Sequence, residues 1–310
     1  MSTPTVLLPD ALTAAMQAAY WSAEAHRGDG WGRRLQRKIR AAAAAALLPS
    51  SSRRWFSFIE DPALRPFAQA NPLLPLKPFR VYLSTAWSRE RRRKVILDTY
   101  AEAIRRGGAF RRALMEREGV RFPITASPET GEVCLRLHRD ARFRKEGELT
   151  LSLDCAGLGG QAMSVAFSVE RLEGGLAIYI GCLQGKEEGA DALRVLTKAL
   201  HGLRPKAFMM LAMQEVASVM GADELYGAGS GIQVHRGKHA IHLPRLHALG
   251  FDYDGYWVES GGRPDAGGWF RLPRETPRRS RDGMKPNKRS MYTKRYAMLD
   301  QLGETLRAKL

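Results

Sequence analysis

Residues 163–185 read MSVAFSVERLEGGLAIYIGCLQG, two apolar runs joined at Glu173-Gly174-Gly175. The pattern predicts a β-hairpin, and the run from Leu176 to Leu183 is apolar enough to need cover on both faces. A chain that contains such a strand must supply helices to bury it. Upstream, EVCLRLHRDA and LTLSLDCAGLGG alternate apolar and polar residues and read as half-buried strands. Downstream, ADALRVLTKALHG and KAFMMLAMQEVASVMG read as amphipathic helices closed by Gly202 and Gly221, with Pro205 in a first helical turn. DELYGAGS then reads as a strand, and YDGYWVES and GWFRLP as two more among Gly261, Gly262, Gly267 and Gly268. A β–α–α–β–β order predicts an α/β (α+β) fold, a mixed central sheet flanked by helices.

Outside this centre the pattern is helical. Leu12, Met16, Ala19 and Tyr20 recur at helical spacing, and RRLQRKIRAAAAAALL (33–48) continues until Pro49. NPLLPLKPF (71–79) holds three prolines and reads as a linker or extended strap. SRERRRKVILDTYAEAIRRGG predicts a helix with Ser88 as N-cap, an inner face of Val95, Ile96, Tyr100 and Ala103, and Gly107-Gly108 as its end. The tail from Pro277 is basic and closes in a helix. The organisation expected is a basic helical region over 1–75, a helical lead-in over 76–125, an α/β core over 126–275 and a basic segment with its helix over 276–310.

The charge is unevenly distributed. Against 32 acidic residues stand 49 Lys and Arg, a formal net of +17 in 310 residues. Eight basic residues and one acid lie between Arg27 and Arg54, and twelve basic residues and four acids between Arg271 and Leu310. Such blocks predict a polyanionic partner rather than a neutral or acidic one. The polyanion-binding candidates are Arg33, Arg34, Arg37 and Lys38; Arg92 and Arg93; and Lys288, Arg289, Lys294 and Arg295. Tyr292 and Tyr296 interleave with the last group, where they could stack on bases or anchor at a lipid interface. Cys134, Cys155 and Cys182 form no CxxC pair and lie in apolar strands, so buried thiols are expected rather than a disulfide framework or structural zinc. The start MSTPTVLLPDALTAAMQ lacks the pattern of a secretory signal, so the expected location is cytoplasmic, with peripheral contact to an anionic inner membrane as an extension.

HGLRPK (201–206), YWVESGG (256–262) and KRSMYTKRY (288–296) together resemble the VirK/YbjX family, over roughly residues 75–300. That resemblance implies a bacterial protein connected with envelope processes, such as surface virulence-protein localisation and tolerance of cationic peptides. It implies no agreed biochemical activity and no catalytic residues. The order of elements from LAIYIGCLQG onward also resembles the GNAT acyltransferase superfamily, in which a strand leads to a loop and helix N-terminus that hold the donor's pyrophosphate. The Arg/Gln-x-x-Gly-x-Gly/Ala signature of coenzyme A binders is absent here. The resemblance therefore leaves an aminoacyl-tRNA, alongside an acyl-CoA, as the implied donor.

Candidate chemistry follows from these readings. Lys186, Arg204 and Lys206 are the candidate donor-phosphate ligands. His235 and Glu259 are the candidate proton acceptors, toward an amine or hydroxyl of a small-molecule or peptide acceptor. Glu259 could instead pair an arginine, with Asp252 and Asp254 as turn residues. Four histidines in VHRGKHAIHLPRLH (His235, His239, His242, His247) lack a companion carboxylate or cysteine, and Arg236, Lys238 and Arg245 would repel a cation, so no metal is expected. Gly227-Ala228-Gly229-Ser230-Gly231 reads as a strand-to-loop turn, since it lacks a P-loop Lys-Thr. Met209, Met210, Met213 and Met220 read as core. The sequence thus predicts a GNAT-like acyl- or aminoacyl-transferase, or else a non-catalytic basic adaptor that binds nucleic acid or the anionic inner leaflet in envelope assembly.

Overall fold

The computed structural model describes residues 9–185, 190–234, 252–280 and 285–310. They divide into two compact units: residues up to Tyr82 with Ser88–Arg93, and Leu83–Trp87 with Lys94–Leu310.

The first unit is helical. Helices α1 (Asp10–Ala25), α2 (Trp31–Ala46), α3 (Pro49–Glu60) and α4 (Arg65–Ala70) precede a 3₁₀ segment, Leu74–Phe79. α2 ends before Pro49, as expected, and Pro49 then opens α3, where its missing N–H costs nothing. The three-proline stretch is not a loose linker. Leu74 and Leu76 are buried, Phe79 stacks on Phe56 with ring centroids 5.8 Å apart, and the Trp55 indole donates to the Pro75 carbonyl at 2.8 Å. Apolar side chains and one satisfied carbonyl fix a segment that proline alone would leave extended.

Helix α5 (Arg89–Arg106) begins in the first unit and continues into the second. The Ser88 hydroxyl accepts from the Arg91 N–H at 3.2 Å, as a cap should, and Val95, Ile96, Tyr100 and Ala103 are buried. After α6 (Gly108–Met115) come β1 (Val120–Ser127), β2 (Gly131–His138), β3 (Leu149–Cys155), β4 (Gly160–Leu172) and β5 (Gly175–Gly185). Helices α7 (Ala190–Ala199) and α8 (Pro205–Met220) lead to β6 (Glu224–Ala228), then α9 (Tyr253–Glu259), β7 (Arg263–Pro264), β8 (Trp269–Arg271) and α10 (Arg289–Lys309).

The strands form one sheet in the order β1-β2-β3-β4-β5-β6-β8-β7, antiparallel except for the β5/β6 pair. The fold is thus a mixed α/β sheet flanked by helices, with a C-terminal helix. α6 packs on β2, α8 on β4 and α10 on β1.

β3 was expected to be half-buried, but only Asp154 along it escapes full burial. Leu149, Leu151 and Leu153 supply one face, while the small polar residues of the other are bonded laterally: Ser152 to His138 Nε2 at 2.7 Å, and Asp154 to Arg136 at 2.7 Å. Cys134, Cys155 and Cys182 are free and buried. Thr99 of α5 closes the edge of β4 beyond the end of β3, accepting from the Val169 N–H at 2.9 Å.

Tyr253–Glu259 is a helix, not the strand that its aromatic content predicts. The Asp252 carboxylate accepts from the Gly255 N–H at 3.0 Å and caps the first turn, and the i, i+4 pair Tyr253 and Trp257 turns inward.

Candidate functional site

β5 and β6 run side by side only from Ala177/Glu224 to Ile180/Gly227; β6 ends one residue later, while β5 continues to Gly185. α9 occupies the resulting fork. The Tyr253 hydroxyl donates to the Leu183 carbonyl of β5 at 3.2 Å, and the Trp257 indole to the Ala228 carbonyl of β6 at 2.9 Å. The indole lies so close to Gly227 that a Cβ there would sit 2.5 Å from the ring. This explains one glycine of the 227–231 run, which is the expected strand-to-turn junction ahead of a 3₁₀ turn at Ser230–Ile232.

α8 is the last helix before β6 and begins near α9: the Tyr256 hydroxyl donates to the Lys206 carbonyl at 2.9 Å. Beside this junction lies a hollow of about 590 Å³, lined among others by Arg204, Lys206, Met210, Asp252, Tyr256 and Glu259. Two of the three phosphate candidates and one of the two proton-acceptor candidates therefore line one hollow. Arg204, the N-cap of α8, and Lys206 are both exposed, as is Glu259 at the last residue of α9. Partial burial lowers the Lys206 pKa and the Glu259 charge opposes that shift. Lys186 and His235, and the other histidines of the 235–247 cluster, lie outside the described residues.

A second cavity, about 650 Å³, shares Leu203, Leu211, Gln214 and Thr276 with the first and extends between α8, α10 and the strap at 272–280. The strap is held down by the Gln214 side chain, which donates to the Pro273 carbonyl at 2.8 Å and accepts from the Thr276 hydroxyl at 3.0 Å. Five arginines line this cavity: Arg274, Arg278, Arg279, Arg295 and Arg307. Three of them lie over tyrosine rings, Arg278 over Tyr296 at 5.0 Å, Arg279 over Tyr292 at 5.9 Å and Arg295 over Tyr292 at 4.4 Å. Glu215 pairs with Arg307 at 3.6 Å and Asp300 with Arg278, which leaves the lining positive on balance.

Of the C-terminal candidates, only Arg295 lines the cavity; Lys288, Arg289 and Lys294 are exposed. Arg295 also donates from Nε and Nη2 to the His201 carbonyl, at 3.1 and 2.9 Å. His201 has a positive φ of 50°, and a Cβ at Gly202 would meet the Met291 sulfur at 2.7 Å, so the HG turn is moulded to α10. Charge counting along the tail does not single out Arg274, Arg278, Arg279 or Arg307. The available signal was the spacing of arginines in RLPRETPRR ahead of a helix with tyrosines one turn apart.

The first-unit candidates divide in two. Arg33, Arg34, Arg37 and Lys38 lie along α2, where Arg37 pairs with Asp29 at 2.7 Å. Arg92 and Arg93 hold neighbouring backbone, Arg92 donating to the Arg80 carbonyl at 2.9 Å and Arg93 to the Ser51 carbonyl at 3.0 Å.

Comparison with known proteins agrees with the resemblance. A family profile described as "Protein of unknown function (DUF535)" matches residues 30–308. The chain is similar to the uncharacterized protein YbjX of Escherichia coli K12, with 26% identity over 288 residues, 89% of this chain and 83% of that one. It is also similar to two uncharacterized proteins of Haemophilus influenzae Rd, at 35% over 138 residues (44% of each chain) and 32% over 127 residues (40% of this chain and 41% of the relative). No solved structure matches. A match spanning almost the whole chain places it plainly: the protein belongs to the VirK/YbjX family, the family described as DUF535.

Proposed function

We propose that the protein is a GNAT-like acyl- or aminoacyl-transferase that takes its acyl group from a large anionic donor, an aminoacyl-tRNA or an acyl-CoA. The observation that carries this reading is the hollow between the start of α8 and α9, which Arg204, Lys206 and Glu259 line together. The adjoining arginine–tyrosine cavity extends the positive lining, which favours the larger polyanion, tRNA.

In the proposed reaction Glu259 takes a proton from the acceptor amine or hydroxyl. The freed lone pair attacks the donor carbonyl carbon, the bond from that carbon to the donor's ester oxygen or thioester sulfur breaks with its electrons, and Glu259 returns the proton to that leaving atom. Arg204 and Lys206 hold the donor's phosphates. His235 is the other candidate for the proton-transfer role.

The test is titration with bulk aminoacyl-tRNA and with acyl-CoA, followed by single-turnover transfer to amine acceptors. Arg204→Ala is expected to weaken donor binding by about tenfold, roughly 1.4 kcal/mol. Glu259→Gln is expected to slow transfer about 10²–10⁴-fold with donor binding intact. Absence of saturable binding by either donor, or full transfer by Glu259→Gln and His235→Ala alike, would sink this mechanism.

A further inference from the structure

Helix α2 reads WGRRLQRKIRAAAAAA, with five basic residues and no acid. Its large apolar residues do not face a core. Trp31, Leu35 and Ile39 are 82%, 42% and 60% exposed, and at i, i+4 and i+8 they fall within about 80° of arc at 3.6 residues per turn. Arg34 and Lys38 border that stripe, while Arg33, Arg37 and Arg40 occupy the other side of the helix. Its neighbour α1 repeats the spacing with Leu12, Met16 and Tyr20, 46%, 56% and 57% exposed. The acids of this region are already matched by cations: Asp10 by Arg53, Glu24 by Arg27 and Asp29 by Arg37.

We propose that α2, with α1 beside it, docks on an anionic bilayer surface, lying in the headgroup plane with Trp31, Leu35 and Ile39 directed into the acyl boundary. Two properties of one helix select this occupant. A helix with a narrow apolar stripe, a tryptophan on it and a polar face made of arginine and lysine is the form that partitions into a lipid interface. The unopposed positive charge complements acidic headgroups, each nearby Lys or Arg adding to the attraction. A sugar-phosphate backbone would satisfy the cations but leave the leucine and isoleucine in water. No helix of the described residues is long and apolar enough to cross a membrane, so the contact is with the surface. The proposal is independent of the transferase reading and concerns where the protein acts; docking without transfer would be the adaptor role.

The experiment uses the full chain and vesicles of phosphatidylethanolamine with phosphatidylglycerol against vesicles of phosphatidylcholine, with co-flotation read at low and high salt. Wild type is expected to float with the anionic vesicles only. Trp31→Ser with Ile39→Ser, and separately Arg33→Glu with Arg37→Glu, are each expected to lower the apparent affinity at least about tenfold. The substituted side chains are exposed or partner only surface groups, so circular dichroism should be unchanged. Trp31→Phe should also remove a blue shift of the tryptophan emission on vesicle addition. Anionic-vesicle binding undiminished in the Trp31→Ser, Ile39→Ser protein overturns the proposal. So does failure of wild type to float, whether the same substitutions then abolish self-association, which assigns the stripe to a second copy, or tRNA binding, which assigns it to nucleic acid.

Discussion

The basic block of α2 and the basic block around α10 are alike in sequence and opposite in setting. On α2 the cations lie on an open helix beside bare Trp31, Leu35 and Ile39, and one structural ion pair, Arg37–Asp29, engages them. Around α10 the arginines are drawn over Tyr292 and Tyr296, anchored on the His201 carbonyl and paired with Asp300 and Glu215, so that they wall a cavity. Net charge therefore tells little about role until the partner of each guanidinium is known. An apolar stripe next to cations suits an extended surface, whereas a cation held on an aromatic ring is preorganised for one discrete anion.

The sharpest way to break this contrast is a double dissociation. Arg278→Glu with Arg279→Glu should abolish saturable binding of the anionic donor, a loss on the order of 10²-fold or more, because two attractions in one cavity become repulsions. The same protein should float with anionic vesicles as wild type does. Arg33→Glu with Arg37→Glu should do the reverse. If either pair of substitutions impairs both bindings equally, the two blocks act as one diffuse polycation and the distinction falls.

A further effect concerns one buried carboxylate whose arginine partners reach the surface. Glu102 of α5 is buried and receives Arg105 at 3.0 Å, Arg171 at 2.8 Å and Arg106, whose Nη1 also donates to the Val219 carbonyl at the end of α8 at 3.2 Å. Burial alone would raise its pKa, but the hydrogen bonds and charges of Arg105 and Arg106 outweigh that and hold it at about 2. Glu102→Gln should cost the second unit about 2–4 kcal/mol, read by urea unfolding, because it leaves the buried end of the arginine knot without its counter-charge. The pH sign follows: this contribution is complete above about pH 4.5 and is lost as pH falls toward 2. A cost below about 0.5 kcal/mol would show that these arginines behave like the exposed ones of α2.

How much of this was legible in the sequence follows the length scale of each cause. The β4/β5 hairpin, the Ser88 cap, the Gly221 helix end and the Met-rich core face all follow from neighbours within a turn, and pattern reading finds them. β1 carries no clear strand pattern, because Pro123 sits at its bulge and its outward residues alternate irregularly. α9 carries a strand-like composition, Tyr, Trp and Val, while the deciding influences are one capping carboxylate and carbonyls of β5 and β6 about 30 to 70 residues away that Trp257 and Tyr253 bind. The phosphate candidates Arg204 and Lys206 were visible because they open a helix after Gly202; the arginine–tyrosine cavity was not, since Gln214, Arg279 and Tyr292 meet only through the strap.

Acid titration probes a second buried group of the second unit. His138 is buried beside Ser152, and its desolvation, reinforced by the Arg136 charge, pulls its pKa down to about 4. The unfolded chain binds a proton near pH 6.5 and the folded chain only near 4, so stability declines as pH falls between those values, by roughly 2–3 kcal/mol. Unfolding followed by tryptophan emission from pH 7 to pH 4 should show that slope, and His138→Gln should flatten it. A wild-type stability indifferent to pH over that interval would mean that His138 is protonated in the folded protein.

The smallest predicted effect tests whether arginine is needed as arginine. Arg295→Lys keeps the charge but loses the fork that donates twice to the His201 carbonyl and the flat contact with Tyr292, so about 1–2 kcal/mol of stability should go, together with part of the donor affinity. Arg37→Lys on α2 keeps everything that an exposed pair with Asp29 and an anionic headgroup require, and should cost under about 0.5 kcal/mol while flotation is unchanged. Lysine is thus expected to be tolerated where the cation meets a surface and not where its geometry builds a wall. Equal costs at the two positions would erase that difference and return the +17 charge to a uniform coat.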